Sequence, residues 1–449
     1  MVKPMVARKA KWIGSLYLLI YLAAVLTPLL LATALRPQSP EGFFFNAGRG
    51  CALVGIAILL LNPILGARLK WVDRPFGLDM VFRFHKAVAW IAVVLLVVHP
   101  LLLSWDEGIW TLLTDPDEPW NIWVGRAALL LVVANAITSG FRPRIRFDFQ
   151  VWRWTHNVLV TSLLSLAFVH SYATGSDLQP PIMRFVWPTI FTAIAAVYIY
   201  HRVLWPLQVR GHRWTVVGVK RETHNVHTVT LESPRGDQHY DYLPGQFQFM
   251  RLYRPRGLSR EEHHFTVSSS PTREGIIAST IKEVGDFTST IGQTRPGDTA
   301  EVRGAYGRFS YVLYPEERDL VFIAGGIGIT PFMSMIRHMR DSLDERSVLL
   351  LYGNRHEQDI VFRDEIDGST RLQFPRLTVV YALTDAQPDW TGEHGRINRR
   401  LILKYCGPQS LAAKAFYVCA PARMSTDTVG VLRDLGVGSR RIHCERFWL

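Results

Sequence analysis

Phe82-Arg83-Phe84-His85-Lys86-Ala87-Val88-Ala89-Trp90-Ile91-Ala92-Val93-Val94-Leu95-Leu96-Val97-Val98-His99-Pro100 sets His85 and His99 into a run that is otherwise almost wholly apolar. Fourteen positions separate them, and the same interval separates His156 from His170 in a second apolar run, 152–173. At about 100° per residue, fourteen residues stop roughly 40° short of four full turns, so both members of a pair lie on one helix face, about 21 Å apart. A helix needs about 20 apolar residues to cross roughly 30 Å of hydrocarbon. One histidine of each pair therefore lies near each side of a bilayer.

Six runs of this length are present, about 12–35, 45–66, 82–104, 122–140, 152–173 and 184–205. The 449 residues are 48% hydrophobic and only 20% charged, and the deficit of charge falls mainly in the first 205. That composition excludes a disordered chain, a collagen-like fibre and a wholly soluble enzyme. The first run resembles a signal peptide, with Ala32-Thr33-Ala34 like a cleavage site. Its apolar stretch is longer than a signal core, so it reads as a retained helix.

Lys and Arg fix the expected orientation. They sit at Lys3, Arg8, Lys9 and Lys11, at Arg68, Lys70 and Arg74 between the second and third runs, and at Arg142, Arg144 and Arg146 between the fourth and fifth. The third-to-fourth connection has none and carries Asp106, Glu107, Asp115, Asp117 and Glu118. The positive-inside rule then makes both termini cytoplasmic, in the cell (inner) membrane. The net charge of +12 is accounted for by topology, and nucleic acid needs no place as a partner.

The third and fifth runs cross in the same direction, so His85 faces His156 near the cytoplasmic side and His99 faces His170 near the outer side. Two stacked bis-histidine sites suit two b-type haems between helices. The other reading is four unrelated polar residues, which the duplicated spacing disfavours. Cys51, Cys406, Cys419 and Cys444 show no C-x-x-C spacing, which argues against zinc, a disulfide framework and covalently attached haem. Arg49 and Arg126 lie at the outer ends of the second and fourth runs. They suit haem propionates; snorkelling to headgroups is the alternative for both.

From about residue 209 the pattern shortens and alternates. Segments 213–221, 225–232, 245–253 and 275–284 predict strands of a small antiparallel barrel, broken at Pro244-Gly245 and Pro296-Gly297. After about 315 strand and helix alternate. Leu320–Ala324, Leu349–Tyr352, Thr378–Ala382 and Ala415–Cys419 predict buried strands of a parallel sheet. Between the first of these and a helix at 332–340 lies Gly325-Gly326-Ile327-Gly328-Ile329-Thr330-Pro331, whose context suits a phosphate at a helix N-terminus. Thr330 is expected to cap that helix and Pro331 to occupy its first turn. Asn354-Arg355 follows a strand end, where Arg355 either meets a nucleotide 2′-phosphate or is a solvated surface residue.

These features, in this order, resemble the NADPH oxidase and ferric reductase superfamily, in particular its bacterial members. The histidine spacing is similar to the family's transmembrane domain. His263-His264-Phe265-Thr266 resembles its His-Pro-Phe-Thr flavin motif with His264 for proline, and Gly285-Asp286-Phe287-Thr288 resembles its second flavin motif. Gly325–Pro331 resembles the nicotinamide-nucleotide loop, and Gly304-Ala305-Tyr306-Gly307 departs from Gly-Pro-Tyr-Gly by one residue. Cys419-Ala420-Pro421-Ala422-Arg423-Met424 resembles Cys-Gly-Pro-x-x-Met beside the nicotinamide, and Ile442–Phe447 resembles the C-terminal segment whose aromatic covers the flavin.

The resemblance implies a six-helix di-haem bundle (1–208), an antiparallel FAD-binding barrel (209–314) and an α/β NAD(P)H-binding domain (315–449). A nicotinamide gives two electrons at once and haem takes one, so FAD must stand between NADPH (or NADH) and the haems. Phe265 and a terminal aromatic, Phe447 or else Trp448, are expected to flank the flavin ring, with His263 and Thr266 as hydrogen-bonding groups. Gly285, Phe287 and Thr288 are expected at its diphosphate, and Pro421 and Met424 at the nicotinamide, near Cys419. The expected acceptor lies outside: dioxygen, a ferric chelate, or a partner protein docked at the acidic loop. Oxygen-reducing members of the family place an arginine and a second histidine near the outer haem. Arg49 matches the first, but Leu103, four residues after His99, stands at the corresponding turn.

Overall fold

The computed structural model describes residues 7–35, 41–108, 110–142, 144–145, 147–174, 176–204, 207, 212–234, 240–255 and 257–445. Among the described residues, six helices long and apolar enough to cross a membrane carry the six runs: α1 Ala7–Leu35, α2 Phe43–Gly66, α3 Leu78–Glu107, α4 Trp120–Gly140, α5 Phe149–Thr174 and α6 Pro181–Ile199. The sixth ends before the expected 205, because a π-helical stretch, Tyr200–Leu204, succeeds it. Contacts divide the chain into two units, a helical one (Lys11–Val72 with Met80–Leu207) and a sheet-bearing one built on Gln208–Leu449.

Within the helical unit α2 is central: 44% of its most apolar window is buried, against 6–17% in the other five. Small residues permit this. A Cβ on Gly55 would fall 2.9 Å from Leu96 Cγ of α3, a close approach of the kind that packs helices without a hydrophobic drive from lipid. On its other side Leu53, Ile56 and Leu60 pack with Met183 and Trp187 of α6. The Trp187 indole N–H, fully buried, donates to Ser171 Oγ at 2.9 Å.

The sheet-bearing unit begins with six antiparallel strands: β1 Trp214–Thr223, β2 Val226–Glu232, β3 Phe247–Tyr253, β4 Glu262–Thr266, β5 Ile276–Lys282 and β6 Thr299–Tyr306. Their order is β4-β3-β6-β1-β2-β5, and an antiparallel bridge between Val267 and Ser279 joins the two ends. Val216, Val229, Leu231, Met250, Leu252 and Ile277 fill the interior. β4 and β6 are absent from the sequence expectation; β4 is Glu-His-His-Phe-Thr, with no apolar alternation to mark it.

The second sheet is wholly parallel: β7 Asp319–Gly325, β8 Ser347–Asn354, β9 Arg376–Leu383, β10 Glu393–His394, β11 Ala415–Cys419 and β12 Ile442–Glu445. The order is β10-β9-β8-β7-β11-β12, so the winding reverses between β7 and β11. Leu320–Ala324 and Ala415–Cys419 are fully buried, as a strand covered on both faces requires. Helices α7 Thr330–Asp341, α8 Arg363–Ser369, α9 Arg399–Cys406 and α10 Ala422–Asp434 flank the sheet. Ser334 Oγ of α7 donates to Ser269 O at 2.6 Å and Arg337 Nη1 to Ser268 O at 2.7 Å, tying this sheet to the barrel. Thr330 does not cap α7. A 3₁₀ turn, Gly326–Ile329, leads into the helix, so Thr330 is already helical and its hydroxyl donates back to Ile327 O at 3.1 Å.

Candidate functional site

α3 presents His85 and His99, and α5 presents His156 and His170. The rings of His85 and His156 lie 6.5 Å apart between centres. Two metal–imidazole bonds of about 2 Å, with about 1 Å from each nitrogen to its ring centre, give roughly 6 Å for two axial histidines on one metal.

Every one of the four rings has its Nδ1 on an oxygen. His85 meets Asn62 O at 3.2 Å, His99 meets Gly48 O at 2.9 Å and His170 meets Asn121 O at 2.8 Å, all backbone carbonyls. His156 meets the side-chain oxygen of Asn135 at 2.8 Å. A carbonyl oxygen only accepts, so Nδ1 carries the proton of each neutral ring and Nε2 keeps the lone pair a metal needs. Space is made for these rings as well: a Cβ on Gly125 would fall 2.5 Å from Cε1 of His170. The donor set fits two bis-histidine haems.

The two arginines are placed differently. Arg49 is 9% exposed and held between carboxylates: Nη1 donates to Glu41 at 2.9 Å and Nε to Asp177 at 2.7 Å, with Nη2 also on Asp177. One positive charge is thus set against two negative ones. Arg126 donates to the carbonyls of Leu112 and Asp115, each at 2.7 Å, and lies over the Trp123 ring. Its role in this arrangement is to hold the segment before α4.

On the barrel, alternation along β4 puts His263 and Phe265 on one face and His264 and Thr266 on the other. His263 Nε2 is 3.0 Å from Glu261 Oε2, and its ring stacks on Phe287 at 4.4 Å. Phe287 itself belongs to the barrel core and backs His263. Thr266 is buried. Thr288 Oγ1 accepts from the backbone N–H of Val284 and of Gly285, at 2.9 Å each, and so closes the Gly285–Thr288 turn. Arg254, which sequence reasoning missed, is 1% exposed beneath this turn. Its guanidinium covers Phe287 at 5.0 Å and donates to Thr290 O and Ser259 O.

The nucleotide site lies where β7 and β11 part. Ligands of open parallel sheets bind at the carboxyl ends of the strands at such a reversal, and here those ends are Gly325-Gly326 and Cys419-Ala420-Pro421. A cavity of about 390 Å³ opens there, lined among others by Gly325, Gly326, Arg355, Pro421, Arg423 and Met424. Gly328 is required by the closeness of the two strand ends, since a Cβ would lie 2.1 Å from Cys419 O. Cys419 is fully buried, and burial raises its thiol well above the ordinary cysteine range. Arg355 stands at the cavity rim on Asp385.

Glu445 is the second residue sequence reasoning missed. It pairs in register with Cys419 across β11 and β12, and its Oε2 lies 3.8 Å from where a Cβ of Gly307 would be. The acidic group therefore stands beside the expected nicotinamide thiol. Phe447 and Trp448 lie outside the described residues.

Residues 51–167 match the family described as ferric reductase like transmembrane component, 213–311 the oxidoreductase FAD-binding domain and 322–430 the oxidoreductase NAD-binding domain. A nitrate reductase (NADPH) of Emericella nidulans is 29% identical over 247 residues, covering 50% of this chain and 28% of that protein. Cytochrome b5 reductase 4 of Rattus norvegicus is 28% identical over 176 residues, covering 39% and 34%. The reductase subunit of stachydrine N-demethylase of Rhizobium meliloti is 30% identical over 231 residues, covering 50% and 64%. The chain thus spans about a third or less of the first two and under two thirds of the third.

Proposed function

For a multi-pass chain that joins a ferric-reductase-like transmembrane component to FAD- and NAD-binding oxidoreductase domains, we propose transmembrane electron transfer from cytoplasmic NADPH to dioxygen or a ferric chelate on the outer side. FAD would supply the change from two-electron to one-electron chemistry, and two b-type haems the passage of single electrons across the bilayer. The protein's own residues prepare each station. The β7–α7 loop offers backbone N–H groups and a helix N-terminus to the coenzyme phosphates. Cys419 and Glu445 form the wall at the strand end, and burial keeps the thiol neutral. His263 and the Gly285–Thr288 turn would face the flavin, and His85/His156 and His99/His170 would hold the two haems.

The observation that carries this reading is the shared state of the four histidines: each Nδ1 meets an oxygen, which places the proton of the neutral ring there and the metal-ligating lone pair on Nε2. Three of them, His85, His99 and His156, fall within the matched ferric-reductase segment. Purified protein is expected to show a reduced b-type spectrum with about two haems per chain, since four histidines in two pairs would hold one haem per pair. NADPH should be consumed with oxygen or ferric chelate present and not without them. His99→Leu should lose only the outer haem while flavin reduction persists. Protein without haem, or NADPH consumption indifferent to any acceptor, would overturn the proposal. The two carboxylates on Arg49 offset the positive charge from which a superoxide-forming site gains, which favours the ferric chelate over dioxygen.

A further inference from the structure

Three of the four histidines give their Nδ1 to backbone carbonyls of α2 and α4, which no side-chain substitution removes. At His156 the short Nδ1 contact goes to a side chain, whereas at His170 the Thr174 hydroxyl only adds a longer one, 3.3 Å, to the carbonyl bond. Asn135 of α4 holds the His156 nitrogen at 2.8 Å, with Ser139 Oγ at 3.3 Å as a second contact. Asn135 and Ser139 are four residues apart and so share a helix face. Ser139 Oγ also accepts the Trp152 indole N–H at 3.3 Å, and the Trp152 ring lies against His156 at 5.3 Å. The imidazole is thus fixed in plane and in tautomer by side chains of α4 and by its own helix neighbour.

An amide inside a membrane span costs free energy unless it is satisfied. A plain interhelical hydrogen bond would explain Asn135 as packing between α4 and α5. The geometry points further. The amide oxygen addresses the ring nitrogen that controls how strongly the opposite nitrogen donates to a metal, because a bonded Nδ1–H makes Nε2 more basic. We infer that Asn135 is a positioning residue for the cytoplasmic-side haem, setting the tautomer of His156 and the potential of that haem apart from the outer one. The inference rests on the proposed His85/His156 haem site. It assigns to one replaceable side chain the potential step between two otherwise similar bis-histidine sites.

The test uses full-length protein in detergent or nanodiscs, with midpoint potentials and low-temperature EPR for each haem. Asn135→Leu removes the acceptor, weakens donation from His156 and destabilises the ferric state. One of the two midpoints should shift positive, the other should stay, and retention of that haem should fall about 10–100-fold. Asn135→Asp supplies a stronger acceptor, and the same midpoint should shift negative. A packing role alone would lower stability in both variants without moving the potentials in opposite directions. If Asn135→Leu does not accumulate, the negative shift in Asn135→Asp decides. Two haems in the wild type with midpoints and EPR unchanged in the variants would overturn the inference and leave the proposed function standing. A wild type without two haems would overturn that function instead.

Discussion

Arg355 donates its Nε–H to Oδ2 of Asp385 at 2.7 Å, and the Asp385 backbone N–H returns a bond to Arg355 O at 2.9 Å. The arginine that a 2′-phosphate would need is therefore already engaged, and the pairing holds the Asp385 carboxyl below its usual range. A ribose hydroxyl can donate to such a carboxylate, whereas a phosphate must displace it and is repelled by it.

Two substitutions separate these effects. Arg355→Ala should raise the KM for NADPH several-fold more than that for NADH. Asp385→Asn should act in the opposite sense, lowering the NADPH KM relative to the NADH KM by removing the competing anion. Both residues are exposed, so the difference should shrink as salt is raised. Steady-state kinetics with each coenzyme and an artificial acceptor provide the readout. Equal effects on both coenzymes would return Arg355 to a plain surface role.

Cys419 gives a pH prediction. Burial holds its thiol well above the ordinary value, with Glu445 and Cys444 acting in the same direction. Hydride transfer to the flavin should therefore show no thiol limb between about pH 6 and 9, where a free cysteine would titrate near 8.5. The sign for stability follows from proton counting. Above about pH 8.5 the unfolded chain releases this proton before the folded one does, so the contribution is full below that pH and declines above it. Stopped-flow reduction and denaturant unfolding at several pH values test both parts. A rate limb near pH 8 that vanishes in Cys419→Ser would show an ionising thiol instead.

Two glycines of the nucleotide loop should respond unequally to alanine. At Gly328 the new Cβ would meet the backbone carbonyl of Cys419 at 2.1 Å, and backbone cannot step aside. Overpacking of this kind costs about 1–3 kcal/mol or more. At Gly326 the surroundings are open and only φ of +53° resists, a strain of about 1–2 kcal/mol. Gly328→Ala should lower the melting temperature more and weaken coenzyme binding more. Equal losses would mean that the β7–β11 contact is looser than its spacing implies.

The run lengths made the six spans readable, because bilayer thickness imposes them on any sequence, and the doubled histidine interval made the facing of His85 and His156 readable, because helix periodicity sets it. The Gly325–Pro331 loop was readable for a similar local reason. What stayed hidden depends on contacts between distant segments. Asp177 reaches Arg49 across 128 positions, and Glu445 meets Cys419 only through parallel register. Asn135 looks like any stray amide in an apolar run until α5 packs beside it. β4 escaped because two histidines and a glutamate leave it no apolar alternation. The cap assigned to Thr330 failed by one turn, since a 3₁₀ segment precedes the helix and neither Gly326 nor Gly328 announces it.

Under the proposed function, the choice of outer acceptor should turn on Arg49. A site that forms superoxide gains from fixed positive charge where the anion develops. Arg49 supplies little of it, because Glu41 and Asp177 flank it in a largely buried setting. Leu103 packs close by: its Cδ2 would lie 3.2 Å from a Cβ on Gly48, the residue next to Arg49. In the wild type a ferric chelate should compete effectively with oxygen. Leu103→His should add a donor at this point and raise superoxide output several-fold with little change in ferric reduction. Asp177→Asn should act in the same direction by uncovering the guanidinium, at a cost in stability because it opens a buried pair. Superoxide-dismutase-sensitive cytochrome c reduction, set against ferric-chelate reduction in the same preparation, measures the ratio. Superoxide rates unchanged in both variants, or a wild type that already strongly prefers oxygen, would mean that neither Leu103 nor the charge on Arg49 selects the acceptor.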